Sequence, residues 1–266
     1  MWEGGTEQLA NAPFIEELPG EQEAGRKAEM GWRWLLALFL LLCAALIILS
    51  SPLLAVRDVV VEGNSALSTL QVEQLADIEA GQPLLLVDTA AVERRLLLHP
   101  RILSAEVSRR WPSKVIITIR ERRGVALLPA GDGFLTLDED GIPFSLADPA
   151  REKSLPVITG LRLPTPVVGV RLKNAGLERA LALLQALPAE LQGQITEIHV
   201  SDLAGEPVLR LYLVSLLAVD MPVDPARFPE SLARLAAILP QVSSYGAGWV
   251  LDMSSSAGAL LRQEGK

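Results

Sequence analysis

Residues 102–120 read ILSAEVSRRWPSKVIITIR. Two runs flank a four-residue link, Arg110-Trp111-Pro112-Ser113. Ile102, Ala105 and Val107 carry the apolar positions of the first run. Val115, Ile117 and Ile119 carry those of the second, in strict period two. β-Branched residues at every second position suit a half-buried strand. The short link predicts an antiparallel hairpin.

Two helical segments precede the hairpin. Asp88 is placed to cap a helix over residues 89–98, with Val92, Leu96 and Leu97 on one face and Glu93, Arg94 and Arg95 on the other. Pro100 stops it. Before that, Ser68 with Gln71 three residues on has the spacing of a capping box, and Leu70, Leu75 and Ile78 are the expected apolar side. Gly81-Gln82-Pro83 breaks this helix. Val59-Val60-Val61 predicts a strand ended by the turn Gly63-Asn64-Ser65. The order over residues 56–123 is therefore β-α-α-β-β.

Residues 34–56 read WLLALFLLLCAALIILSSPLLAV, with no charge in 23 positions. At ~1.5 Å per residue such a helix is roughly 34 Å long, enough to cross a ~30 Å hydrocarbon core. A single transmembrane helix is expected over residues 34–55. A secretory signal would be shorter and nearer the N-terminus. A lipoprotein signal would need a small residue before Cys43, where Leu42 stands. Arg26, Lys27 and Arg33 precede the run, whereas after Arg57 no basic residue follows until Arg94. Positive-inside placement then puts residues 1–33 in the cytoplasm and the bulk of the chain outside it, with Trp32 and Trp34 at an interface. Residues 1–33, rich in Glu, Gly and Gln, are expected to be a disordered tail, with 13–18 as a docking peptide or simply solvated chain.

Downstream of the hairpin, Gly131-Asp132-Gly133 is a turn before a strand at 134–137, and Asp138 to Phe144 forms another. Residues 148–166 read as an irregular, Pro-rich connection. A helix is expected over 175–187, stopped by Pro188, and strands over 195–200 and 208–219, the latter with a turn. A second amphipathic helix over 228–239 should stop at Pro240, and 249–253 should be a final short strand. The fold class is α+β: one membrane helix, a β-α-α-β-β domain (56–123), a larger mixed α/β-sheet domain (124–255) and a tail (256–266).

Several phrases in fixed order carry a family resemblance. They are Val59-x-Val61-x-Gly63-Asn64, His99-Pro100, Ala105-x-Val107-x-Arg109-Arg110-Trp111-Pro112 and Ile117-x-Ile119-x-Glu121-Arg122. The set, directly after one membrane helix, resembles the POTRA domain of the FtsQ/DivIB family of bacterial division proteins. Asp138-x-x-Gly141-x-x-Phe144 resembles the start of that family's β-domain, and residues 155–160, LPVITG, another of its phrases. The resemblance implies a non-enzymatic membrane scaffold at the division septum. It would recruit the FtsB–FtsL pair and, through them, the septal peptidoglycan synthase. The rival expectation is a POTRA-type receptor or chaperone in envelope protein export, which predicts repeated POTRA copies or barrel strands.

Residue chemistry points the same way. The net charge of −8 lacks the basic balance of a nucleic-acid binder. The one cysteine, Cys43, excludes a disulfide framework within the chain. His99 before a proline reads as a capping or packing residue and His199 as a sheet-face residue. Neither joins a zinc spacing, and Thr136, Ile142 and Ala147 break any calcium-loop reading of Asp138 and Asp140. No catalytic, metal or cofactor site is expected. Two binding surfaces are. Residues 94–123 hold nine basic and two acidic groups, so Arg101, Arg109, Arg110, Arg120 and Arg122 are either a docking face for acidic partners or lipid head groups, or a solvated edge. Trp249, Val250, Leu251, Asp252 and Met253, if they end the sheet, offer an edge for a partner strand, while Trp249 and Leu251 also suit packing on the second helix.

Overall fold

The computed structural model describes residues 21–49, 52–148, 152, 154–203, 206–255 and 258–263. The first helix, α1 (Glu21–Leu49), starts upstream of the apolar run, because Glu, Gln, Ala, Arg, Lys and Met favour continuing it. Most of the expected disordered tail, residues 1–20, lies outside the described residues. Among the described residues no helix is long and apolar enough to cross a membrane. The span over residues 34–55 is thus a reading of the sequence; residues 50–51 are outside the described set and Pro52–Leu54 forms a 3-10 turn.

The next domain contains β1 (Asp58–Glu62), α2 (Thr69–Ala76), α3 (Thr89–Leu97), β2 (Ile102–Arg110) and β3 (Lys114–Glu121). The sheet order is β1-β3-β2, with β1 parallel and β2 antiparallel to the central β3. Period two holds: Val115, Ile117 and Ile119 are buried under the helices. The Ser68 hydroxyl accepts from Gln71 N–H (3.3 Å), and the Gln71 side chain accepts from Ser68 N–H (2.8 Å), the reciprocal cap that the spacing predicts. Asp88 accepts from Ala91 N–H at 3.0 Å. The helix faces differ in detail from the expected ones. α2 buries Val72 and Ala76, one turn apart, and leaves Leu70 exposed; α3 buries Val92 and Leu96 and leaves Leu97 exposed.

The larger domain is one nine-stranded sheet with two helices. Its elements are β4 (Ala126–Ala130), β5 (Gly133–Leu137), β6 (Pro143–Leu146), β7 (Val157–Thr159), α4 (Ala175–Gln185), β8 (Ile195–Leu203), β9 (Glu206–Leu213), β10 (Ala218–Asp220), α5 (Phe228–Val242), β11 (Trp249–Asp252) and β12 (Leu260–Gln263). The strand order is β12-β11-β10-β9-β8-β7-β4-β5-β6. Leu177, Leu183, Phe228, Leu232 and Leu235 of the helices share one core with Ile198, Leu211, Val219, Leu251 and Met253 of the sheet.

Three expectations are corrected here. Residues 148–166 contain β7, which pairs in parallel with both β4 and β8. Helix α5 does not stop at Pro240 but runs through it to Val242. Its anchoring residues Phe228, Leu232 and Leu235 lie upstream, so the missing donor disturbs only the last turn, which Ser243 N–H closes on Leu239 O at 2.8 Å. Residues 260–263 are not tail but β12, antiparallel to β11.

The domains meet at Arg122. Its Nε donates to Pro100 O (3.0 Å), and its Nη1 pairs with Asp138 Oδ2 at 2.6 Å. Asp138 Oδ1 accepts from Asp140 and Ile142 N–H at 3.1 and 2.8 Å. Nearby, Glu121 Oε1 accepts N–H groups from Ser65, Ala66 and Leu67 at 2.7–3.0 Å. Burial pushes the Glu121 carboxyl up, but these donors outweigh it and hold it below its ordinary value of 4.5. Burial, and then Arg101, push His99 below 6.5 against the pull of Glu121. Both folded values are depressed. Each contribution is therefore present above the unfolded value and lost as pH falls through the folded one. Stability should decline on acidification from pH 6.5, and again below 4.5. Urea midpoints measured across that range check this, and His99→Gln should remove only the upper part.

Candidate partner-binding edge

Backbone pairing leaves two outer strands in the nine-stranded sheet, β6 and β12. The β6 edge is partly capped, because Gly169 N–H donates to Pro143 O at 2.7 Å. The β12 edge carries no such cap among the described residues. The expectation that residues 249–253 form the edge is corrected: Trp249 pairs with Gln263 and Asp252 with Leu260, while Ala218–Asp220 holds the other side of β11.

The parity of the ladder identifies the open groups. Met253 N–H bonds to Asp220 O at 2.9 Å, so on β11 the odd-numbered residues turn their backbone to β10. Val250 and Asp252 then face β12 and engage Arg262 and Leu260. On β12 itself, Leu261 and Gln263 are left with N–H and C=O pointing outward. Leu261 packs its side chain on the core, so the edge is held in place while its backbone is free to pair.

A polar row on the face opposite the helices fastens β12. Thr159, His199, Arg210, Asp220 and Asp252 lie in register across β7 to β11. Arg210 grips Asp220 with two bonds, at 2.6 and 3.1 Å, and Arg262 of β12 reaches the same carboxylate at 3.0 Å. The hydrogen bonds to Asp220 hold the Arg210 guanidinium above its ordinary value against its burial. The Ser254 hydroxyl holds Asp252 below its ordinary value, also against burial. Thr159 donates to Glu197 at 2.5 Å and lies 2.9 Å from His199 Nδ1, which places His199 on a sheet face as its position suggests.

The five arginines do not form one surface. Arg101, Arg120 and Arg122 lie toward the domain junction and Arg109 and Arg110 at the hairpin tip, roughly 15–30 Å away along β2. Arg101 stands over the Phe144 ring at 5.2 Å, Arg122 is spent on Pro100 and Asp138, and Arg109 donates twice to Val87 O, at 3.2 and 2.7 Å. Arg110 and Arg120 are exposed. Sequence reading missed β12. Its only signal is the pair Leu260-Leu261 after Gly258-Ala259.

Two family models match the chain, one over each domain. Residues 54–122 match the family model for the POTRA domain, FtsQ-type, and residues 126–254 that for the cell division protein FtsQ/DivIB, C-terminal. The cell division protein FtsQ of Anaeromyxobacter sp. (strain K) is 31% identical over 84% of this chain and 70% of its own length. That of Myxococcus fulvus is 28% identical over 74% and 68%. Among solved structures, the major extracytoplasmic domain of DivIB from Geobacillus stearothermophilus aligns at 19% identity over 47% of this chain and 94% of that one, with a TM-score of 0.32.

Proposed function

The chain belongs to the FtsQ/DivIB family of cell division proteins, and from that premise we propose that it is a non-enzymatic, membrane-anchored scaffold of the divisome. Residues 1–33 lie in the cytoplasm, the apolar segment over residues 34–55 crosses the membrane, and the two domains stand outside, at the septum. The uncharged run and the exposed Trp34, Leu35, Leu38, Phe39, Leu41 and Ile47 of α1 support anchoring, since a soluble helix would bury such a face. The partners are division proteins of the FtsB/FtsL type, and through them the septal peptidoglycan synthase.

The observation that carries the proposal is the open edge of β12. A partner strand pairs with Leu261 and Gln263, where main-chain hydrogen bonds supply affinity and alternate side chains selectivity. Position 249–253 acts one strand further in, as the support of β12. The test is co-purification of the full chain with an FtsB/FtsL-type ectodomain. Gln263 is exposed, so Gln263→Pro removes an outward donor without touching the core. Binding should weaken by about tenfold or more, equivalent to about 1.4 kcal/mol. Unchanged binding with the domain folded removes β12 from the interface.

A further inference from the structure

We infer that the membrane-proximal end of the POTRA domain is itself a lipid-docking surface, which rests on anionic phospholipid through Trp111, Leu53, Leu85 and Leu86. The inference rests on the anchored reading above.

Three segments meet where the chain leaves α1. Ala55 bridges to Pro83, Val56 N–H donates to Gln82 O at 2.9 Å, and Gly81 N–H donates to Val56 O at 2.9 Å. These bonds hold the 3-10 turn Leu84–Leu86 beside the entry point. Arg57 N–H donates to Ser113 O at 2.9 Å, which brings in the tip of the β2–β3 hairpin. Arg109 joins the two loops through its bonds to Val87 O.

Each of these segments presents at least one exposed apolar side chain. Leu53 is 68% exposed, Leu85 45%, Leu86 71% and Trp111 56%. Single exposed leucines are ordinary on a protein surface, but four large apolar groups on bonded neighbouring loops are a patch. Its charge is uneven. Arg110 and Lys114 flank Trp111 on the hairpin side, where Asp58 faces Lys114 at 3.5 Å, while Glu79 and Asp88 lie with Gln82 and Val87 on the other side.

The position decides the occupant. From Leu49 to Val56 the chain spans at most roughly 25 Å when extended, so these loops cannot leave the vicinity of the bilayer in an anchored chain. Tryptophan with aliphatic neighbours and basic residues beside it, as Arg110 and Lys114 are, is the composition that settles among phospholipid head groups. Docking would fix the height and tilt of the POTRA domain, and through the Arg122 junction those of the β12 edge.

The test uses the full chain in nanodiscs of phosphatidylcholine and phosphatidylglycerol, with the phosphatidylcholine brominated near the glycerol end of its acyl chains. The Trp111 signal is the difference between the native chain and Trp111→Phe, and the anchor signal is the difference between the native chain and the double variant Trp32→Phe/Trp34→Phe, so that Trp2 and Trp249 cancel. We expect bromine to quench Trp111 by about half or more, as for an interfacial tryptophan. Arg110→Glu, or omission of phosphatidylglycerol, should restore the Trp111 signal and leave Trp32 and Trp34 quenched. Quenching of Trp32 and Trp34 without Trp111 overturns the docking surface and leaves the anchor standing; a surface reserved for a protein partner gives that same result. If none of the three is quenched, the anchor fails and the docking with it.

Discussion

Arg122→Leu should destabilise the protein by about 3–5 kcal/mol, the cost of leaving a buried charge without its partner. The Arg122 and Asp138 side chains are 16% and 5% exposed, so water cannot replace the lost guanidinium. The damage extends beyond the ion pair. Arg122 also covers Pro100 O, and Asp138 organises the turn to Ile142. Because these bonds link the POTRA domain to the sheet domain, urea unfolding should separate into two transitions in the variant. Arg122→Leu combined with Asp138→Asn should recover part of the loss, since the stranded charge is then gone. A single transition with an unchanged midpoint would show that the junction contributes nothing.

Gly160→Ala should be the most damaging single methyl in the sheet domain. Gly160 follows β7 with φ at +78°, and a Cβ there would sit 2.1 Å from Val200 O and 2.9 Å from a His199 ring carbon. A backbone oxygen inside β8 cannot step aside, so β7 must move. The left-handed conformation adds about 1–2 kcal/mol for any L-residue. Together the two effects should cost at least about 3 kcal/mol. β7 is the strand that connects β4–β6 to β8–β12, and its displacement divides the sheet. Thermal unfolding and amide exchange across β4 and β8 measure the effect.

How far the sequence reveals this molecule depends on which physical signal each element carries. The hairpin at 102–120 is legible because its alternation repeats over enough residues to fix a face, and α2 and α3 are legible from Ser68 and Asp88, whose side chains reach donors three residues on. β7 is not legible. Three residues between prolines and charges give no period, and the strand exists because β4 and β8 supply partners on both sides. β12 is no more legible, because four residues give no period and it is defined by pairing with β11 on one side; the position of the sheet edge is illegible with it. The arginine surface misled differently. Composition counts cations but does not say which are already spent on carbonyls, as Arg109 and Arg122 are. Gly63 shows the reverse case: its φ of +81° and a Cβ position 2.1 Å from Ile119 O require a glycine that the sequence alone marks only as a turn.

The central claim is that the backbone of β12 receives another chain. Amide hydrogen exchange of the full chain, with and without an FtsB/FtsL-type ectodomain, tests it residue by residue. The account predicts that exchange at Leu261 and Gln263 slows by about tenfold or more in the complex, while Phe144 and Leu146 on the opposite edge exchange as before. Protection on β6 with Leu261 and Gln263 unchanged would contradict it.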